Sequence, residues 1–178
     1  GRWDHARVQL DRLARPDRPL ESRLVSLRGQ AALAAARGDL DAAQRLCNTA
    51  ADLARRCRSR VAAALVDGDR AMVLAAAGRL GEALSLAQEI LPRLCAPAPG
   101  PVQAWANAHA VAVATTLARR AVAAAEPTAA SRLLVAASAP AQRSGRSYLG
   151  AQLDLASGAL ARLRGQRDAA ERHLWRAM

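Results

Sequence analysis

Lysine and phenylalanine are absent from this 178-residue chain, and isoleucine occurs once, as Ile90. Aromatic residues make up only 2% of it, and only three residues are cysteine. Each shortage excludes something. With so few residues of high β propensity beyond Val, a sheet-based fold is disfavoured, and with it the large body of sheet-based enzymes. Three cysteines in so long a chain do not make a disulfide scaffold. The longest apolar stretch, 104–118, is mostly Ala and is interrupted by Asn107, His109, Thr115 and Thr116, so it does not read as a membrane span. No signal peptide is visible, because Arg2, Asp4, His5 and Arg7 break up the N-terminus. The chain begins with Gly rather than Met, which reads as processing or as a cut from something longer.

What fills the space is Ala, about a quarter of the residues, and Arg, which supplies all 26 basic side chains. With Leu, these lead the helix-propensity ranking. An apolar fraction of 52% excludes general disorder. Against 15 acidic residues the formal net charge is +11, which invites a nucleic-acid reading. A plainer origin is available. Arg and Ala have GC-rich codons, whereas Lys, Phe and Ile have AT-rich ones, so Arg takes the solvated positions that Lys would hold elsewhere.

Self-similarity carries more information than composition. Four segments are alike: Gly1-Arg-Trp-Asp-His-Ala6, Gly38-Asp-Leu-Asp-Ala-Ala43, Gly78-Arg-Leu-Gly-Glu-Ala83 and Gly165-Gln-Arg-Asp-Ala-Ala170. A degenerate fifth copy is Ala125-Glu-Pro-Thr-Ala-Ala130, whose Pro127 suits the first turn of a helix. Successive copies begin 37, 40, 47 and 40 residues apart, a period that means stacked supersecondary units. Each unit reads as two helices about the turn. Leu24, Leu27, Ala31, Ala34 and Ala35 recur at helical spacing before Gly38, and Leu40, Ala43, Leu46, Cys47, Ala50 and Leu53 do so after it. Gly38 suits a left-handed helix stop, and Asp39 suits the cap of the next helix.

The pattern predicts about nine helices: 3–15, 20–37, 40–56, 59–77, 81–95, 101–124, 127–142, 147–164 and 167–178. Pro16-Asp-Arg-Pro19, Ala96-Pro-Ala-Pro-Gly-Pro101 and Ser144-Gly145 are the remaining connectors. The Pro/Gly run at 96–101 is the candidate internal break. The expected fold is therefore all-α, a solenoid of antiparallel helix pairs forming one array over 1–178.

The repeats resemble tetratricopeptide repeats. That family has a small residue in the first helix, Gly at the turn seven positions later, and Ala five after that. A large apolar residue follows four further on, and Ala again three later. Ala31, Gly38, Ala43, Cys47 and Ala50 follow the pattern with a small residue at the large position. Ala71, Gly78, Ala83, Ala87 and Ile90 exchange the last two sizes. Ala118, Ala125, Ala130, Leu134 and Ala137 lack the turn Gly, and Gly158, Gly165, Ala170, Leu174 and Ala177 match throughout. The repeats exceed the family's usual length of about 34 residues. They look like those of large bacterial regulators, in which such an array joins an ATPase and a LuxR-type DNA-binding head, or a caspase-like protease. The segment 159–174 is similar to the final repeats of the first group.

The resemblance implies a protein-interaction or effector-sensing scaffold in a larger cytoplasmic regulator, with a protein or peptide partner or other domains of the same chain. A basic nucleic-acid-binding repeat domain is the alternative. The first helix of each pair would line a concave groove. Its register names Arg28, Asp69, Met72, Thr115, Arg119, Gln152 and Arg162 as candidate binding residues. The family's carboxylate clamp would fall on Arg28, Ala32, Gly68 and Met72, which lack its Lys and Asn, so chaperone-tail recognition is not expected. Gly1 at a turn position and Met178 inside a second helix read as an array cut at both ends.

No catalytic constellation accompanies this pattern. His5, His109 and His173 lie on different predicted helices, none at metal-ligand spacing to another His or to a Cys. There is no C-x-x-C, H-E-x-x-H or phosphate-binding Gly loop. No enzymatic activity, cofactor or metal is expected. Cys47 occupies a core position, whereas the sequence leaves open whether Cys57 and Cys95 are surface thiols. The basic run Arg55-Arg-Cys-Arg-Ser-Arg60 has no interleaved aromatics and reads as a helix C-terminus with a solvated connector. Trp3 and Trp175 are expected to pack between units, and Trp105 either to enter the core or to face a ligand.

Overall fold

The computed structural model describes residues 2–96, 101–144 and 147–178. Among them are nine helices and no strands: α1 (Arg2–Ala14), α2 (Leu20–Ala36), α3 (Leu40–Arg56), α4 (Arg60–Ala76), α5 (Leu80–Cys95), α6 (Pro101–Ala123), α7 (Pro127–Ser144), α8 (Ser147–Leu163) and α9 (Arg167–Ala177). The predicted bounds hold to within a residue or two. Gly1, Gly145, most of the Pro/Gly run and the side chain of Trp3 lie outside the described residues. No described helix is long and apolar enough to cross a membrane.

The turns explain the period. Gly38, Gly78 and Gly165 have φ of +81°, +78° and +70°, in the left-handed region where a side chain is strained. The following residue's N–H then reaches back five positions: Asp39 to the Ala34 carbonyl, Arg79 to Leu74 and Gln166 to Ala161, at 2.9–3.0 Å. This is the Schellman closure of a helix end. The fourth turn makes the same bond, Glu126 to Ala121 at 2.8 Å, although Ala125 stands in the glycine's place with φ of +57°. The repeat thus keeps its turn without its glycine. Asp39 caps α3 by accepting from the Ala42 N–H at 3.0 Å, and Ser59 caps α4 through Ala62.

The small motif residues lie where paired helices cross. Ala31, Ala43, Cys47 and Ala50 are buried, as are Ala71, Ala83, Ala87 and Ile90, and Ala118, Ala130, Leu134 and Ala137. An Ala methyl offers roughly 0.8 kcal/mol of burial, so stability comes from many such contacts added along the stack. One continuous core runs from α4 to α8 and includes Ile90, Leu94, Val111, Leu117 and Leu149. Two smaller clusters, around Leu24 and Leu53 and around Ala31 and Val73, join α2, α3 and α4.

The two layers differ. The first helices α2, α4, α6 and α8 touch one another in succession. Among the second helices α3, α5, α7 and α9, only α5 and α7 touch. A row in continuous contact beside a row that spreads is the inside of a bend, so the first helices form the concave face. This is an all-α helical-repeat solenoid.

One expectation needs correction, and one open point is settled. Trp175 does not pack between units: it is 73% exposed, because no described helix covers that face of α9. Cys95 is not a simple surface thiol. It is half-buried between α5 and α7, with Sγ 3.8 Å from the Ala136 carbonyl, and burial raises its pKa. Cys57 is also half-buried, and Cys47 is buried as expected.

Candidate functional site on the concave face

Three successive first helices each contribute one polar side chain to a common cluster. Arg28 of α2 donates from Nε to Asp69 Oδ2 of α4 at 2.5 Å, and Nη2 reaches Oδ1 at 3.5 Å. The same Nη2 lies 3.3 Å from His109 Nδ1 of α6. A guanidinium can only donate, so Nδ1 is the bare nitrogen and the ring proton sits on Nε2. Nε2 lies 3.6 Å from Asp69 Oδ1, beyond hydrogen-bond distance. Burial holds the imidazole neutral, pushing its pKa down to about 4. Asp69 and the Leu65 carbonyl oppose that shift, and the Arg28 charge adds to it.

The sequence makes room for the ring. Position 68 is Gly, and a Cβ there would overlap His109 Nε2. The absent side chain lets the imidazole lie against α4.

Above this cluster is a hollow of about 320 Å³, walled by Arg28, Leu65, Trp105, Ala108, His109, Ala112 and Tyr148. It touches all four first helices. Trp105 and Tyr148 are 57% and 50% exposed, so two large rings stand at its edge. Small residues between them, Ala108 and Ala112, keep it shallow. Two exposed rings over small residues suit a partner with an apolar or aromatic anchor.

The structure brings together two of the predicted groove residues, Arg28 and Asp69. Met72 is half-buried farther along α4, and Arg119, Gln152 and Arg162 are exposed. Thr115 is buried, and its hydroxyl donates back to the Val111 carbonyl of its own helix at 2.7 Å. The register misses His109. The α6 helix spans 23 residues, against 17 in α2, α4 and α8. Counting back from the turn therefore stops short of His109, landing on Thr115. The 47-residue spacing of that repeat is the one signal of this in the sequence.

Among the described residues no group of three His, Cys, Asp or Glu side chains could hold a metal ion. No family profile matches the chain, and no curated protein matches it in sequence.

Proposed function

We propose that this array is a protein-interaction or effector-sensing scaffold of a larger cytoplasmic bacterial regulator, with the concave face as its receptor surface. The observation that carries this reading is the exposed pair Trp105 and Tyr148, set over Arg28 and His109 on the row of first helices. Exposed aromatics over small residues are the usual anchors of an interface. The repeat pattern supports placement in a regulator of the ATPase–LuxR kind or beside a caspase-like protease.

The charge gives the nucleic-acid alternative no specific support. Some of the 26 arginines pair with acidic neighbours, among them Arg15 with Asp17, Arg28 with Asp69, Arg55 with Asp52, Arg70 with Asp67, Arg79 with Glu82 and Arg167 with Glu171, which leaves the net charge at +11. No ring interleaves with the densest basic run.

The test is a peptide-library screen on the chain, followed by titration of the best-binding peptide. A variant with Trp3 and Trp175 replaced by Phe leaves Trp105 as the sole indole reporter. Binding should shift its emission, and Trp105→Ala with Tyr148→Ala should weaken affinity by about tenfold or more, the loss expected of two anchor rings. Equal affinity for the double variant and the unaltered chain would remove the concave face as receptor.

A further inference from the structure

The outer layer holds a second hollow, where the second helices α5 and α7 meet. It measures about 320 Å³ and is almost wholly apolar, with Leu84 and Leu91 on the α5 side and Leu133 and Ala136 on the α7 side. The α7 helix presents Ala129 and Ala136 where larger side chains would close the gap. Protein interiors normally pack without such space. A hollow of this size and lining is what small-molecule sites look like.

The backbone around it is unusual in the same place. Each of the two helices carries an internal proline near its C-terminal end, Pro92 in α5 and Pro140 in α7. A proline has no N–H, so each leaves the carbonyl four residues earlier without its helical donor. Those carbonyls belong to Gln88 and Ala136, and both residues line the hollow. The Cys95 thiol donates to the second of them, at 3.8 Å. Two helices thus give up a ladder bond beside one cavity, and a thiol rather than a charged group fills in. The wall stays apolar with few polar demands left over.

Charge enters only through exposed Arg132, on α7 at the mouth. Among the described residues it makes no ion pair. We propose that this hollow binds a small amphipathic carboxylic acid, its aliphatic chain between α5 and α7 and its carboxylate paired with Arg132. Charge complementarity selects the acid, since no acidic side chain lines the hollow to favour an amine. The site lies in the layer opposite the concave face, so it stands or falls independently of the receptor reading.

The probe is decanoate, with decanol as its uncharged counterpart, titrated calorimetrically into the chain. Ala136→Phe fills the hollow and should weaken decanoate by about tenfold or more. Arg132→Gln should weaken decanoate by about two- to fivefold, the contribution of a solvent-exposed ion pair, and leave decanol unchanged. In a Cys57→Ser background, bound decanoate should slow alkylation of Cys95 by N-ethylmaleimide, a readout that needs no cavity variant to fold. Absence of decanoate binding, binding unaffected by Ala136→Phe in a folded variant, or undiminished alkylation at saturation would each overturn the site. Equal loss of decanoate and decanol in Arg132→Gln would overturn the acid as its ligand.

Discussion

The chain contains two histidine–aspartate pairs, each beside a helical glycine, and they behave differently. His109 faces Asp69 across α6 and α4, against Gly68. His173 faces Asp154 across α9 and α8, against Gly158. In the second pair His173 Nδ1 lies 2.7 Å from Asp154 Oδ1, and both side chains keep contact with water. In the first, a third residue intervenes. Arg28 takes the Asp69 carboxylate, so the ring is left at 3.6 Å, neutral and buried. The same two residue types therefore make a peripheral tie within one helix pair and a buried link across three successive first helices. What decides between them is the competitor for the carboxylate and the depth of burial.

The largest expected effect tests that competition. Asp69→Ala leaves the Arg28 charge buried without its partner, which should cost about 3–5 kcal/mol. Asp154→Ala removes a tie near the surface and should cost about 1 kcal/mol or less. Urea unfolding of the two variants compares them directly. Arg28→Met with Asp69→Leu should recover most of the first loss, because exchanging a buried pair for apolar residues is often neutral. Similar losses for both single variants would mean that the two pairs are energetically alike after all.

Acid separates the pairs next. The pKa of His109 falls from 6.5 to about 4 on folding, chiefly through burial. Above pH 6.5 the ring is neutral whether folded or unfolded and adds no pH dependence. Below it the unfolded chain takes up a proton that the folded one refuses, so stability drops until the pH nears 4. The total loss is on the order of 3 kcal/mol, the free energy that corresponds to a proton affinity weakened this far. The slope of unfolding free energy between pH 6.5 and 4 should flatten in His109→Asn. It should persist in His173→Asn.

These differences mark where the sequence can be read and where it cannot. The helices, the turns and the burial of Ala31, Ala71 and Ala118 follow from spacing alone, because a period of about 40 leaves little freedom in what packs on what. Ala125 shows that the turn survives even where its signature residue is missing. The candidate site is different in kind. Arg28 and Asp69 can be named from the register, but their pairing cannot, since it joins separate repeats. His109 escapes because α6 is longer than its counterparts, and Trp175 because exposure at the last helix depends on what covers it. The two hollows depend on side-chain sizes across neighbouring helices, which no single helix's periodicity encodes.

The smallest expected effect concerns the glycines and is the sharpest in sign. At Gly68 an added Cβ would overlap His109 Nε2 and stand 3.0 Å from Val113 Cγ2, and the ring, held by Arg28, has little room to retreat. Gly68→Ala should therefore cost about 1–3 kcal/mol by overpacking. At Gly158 the nearest atoms are the Ala170 carbonyl oxygen and His173 Cβ, both 3.4 Å away, which is ordinary contact. There the Ala gains its helix propensity, and Gly158→Ala should be neutral or stabilising by up to about 1 kcal/mol. Combining Gly68→Ala with His109→Ala in a double-mutant cycle decides whether the imidazole is the cause. If it is, the penalty of the Gly68 substitution shrinks once the ring is gone; if it stays whole, the close approach at Gly68 belongs to Val113, and the glycine no longer distinguishes the two pairs.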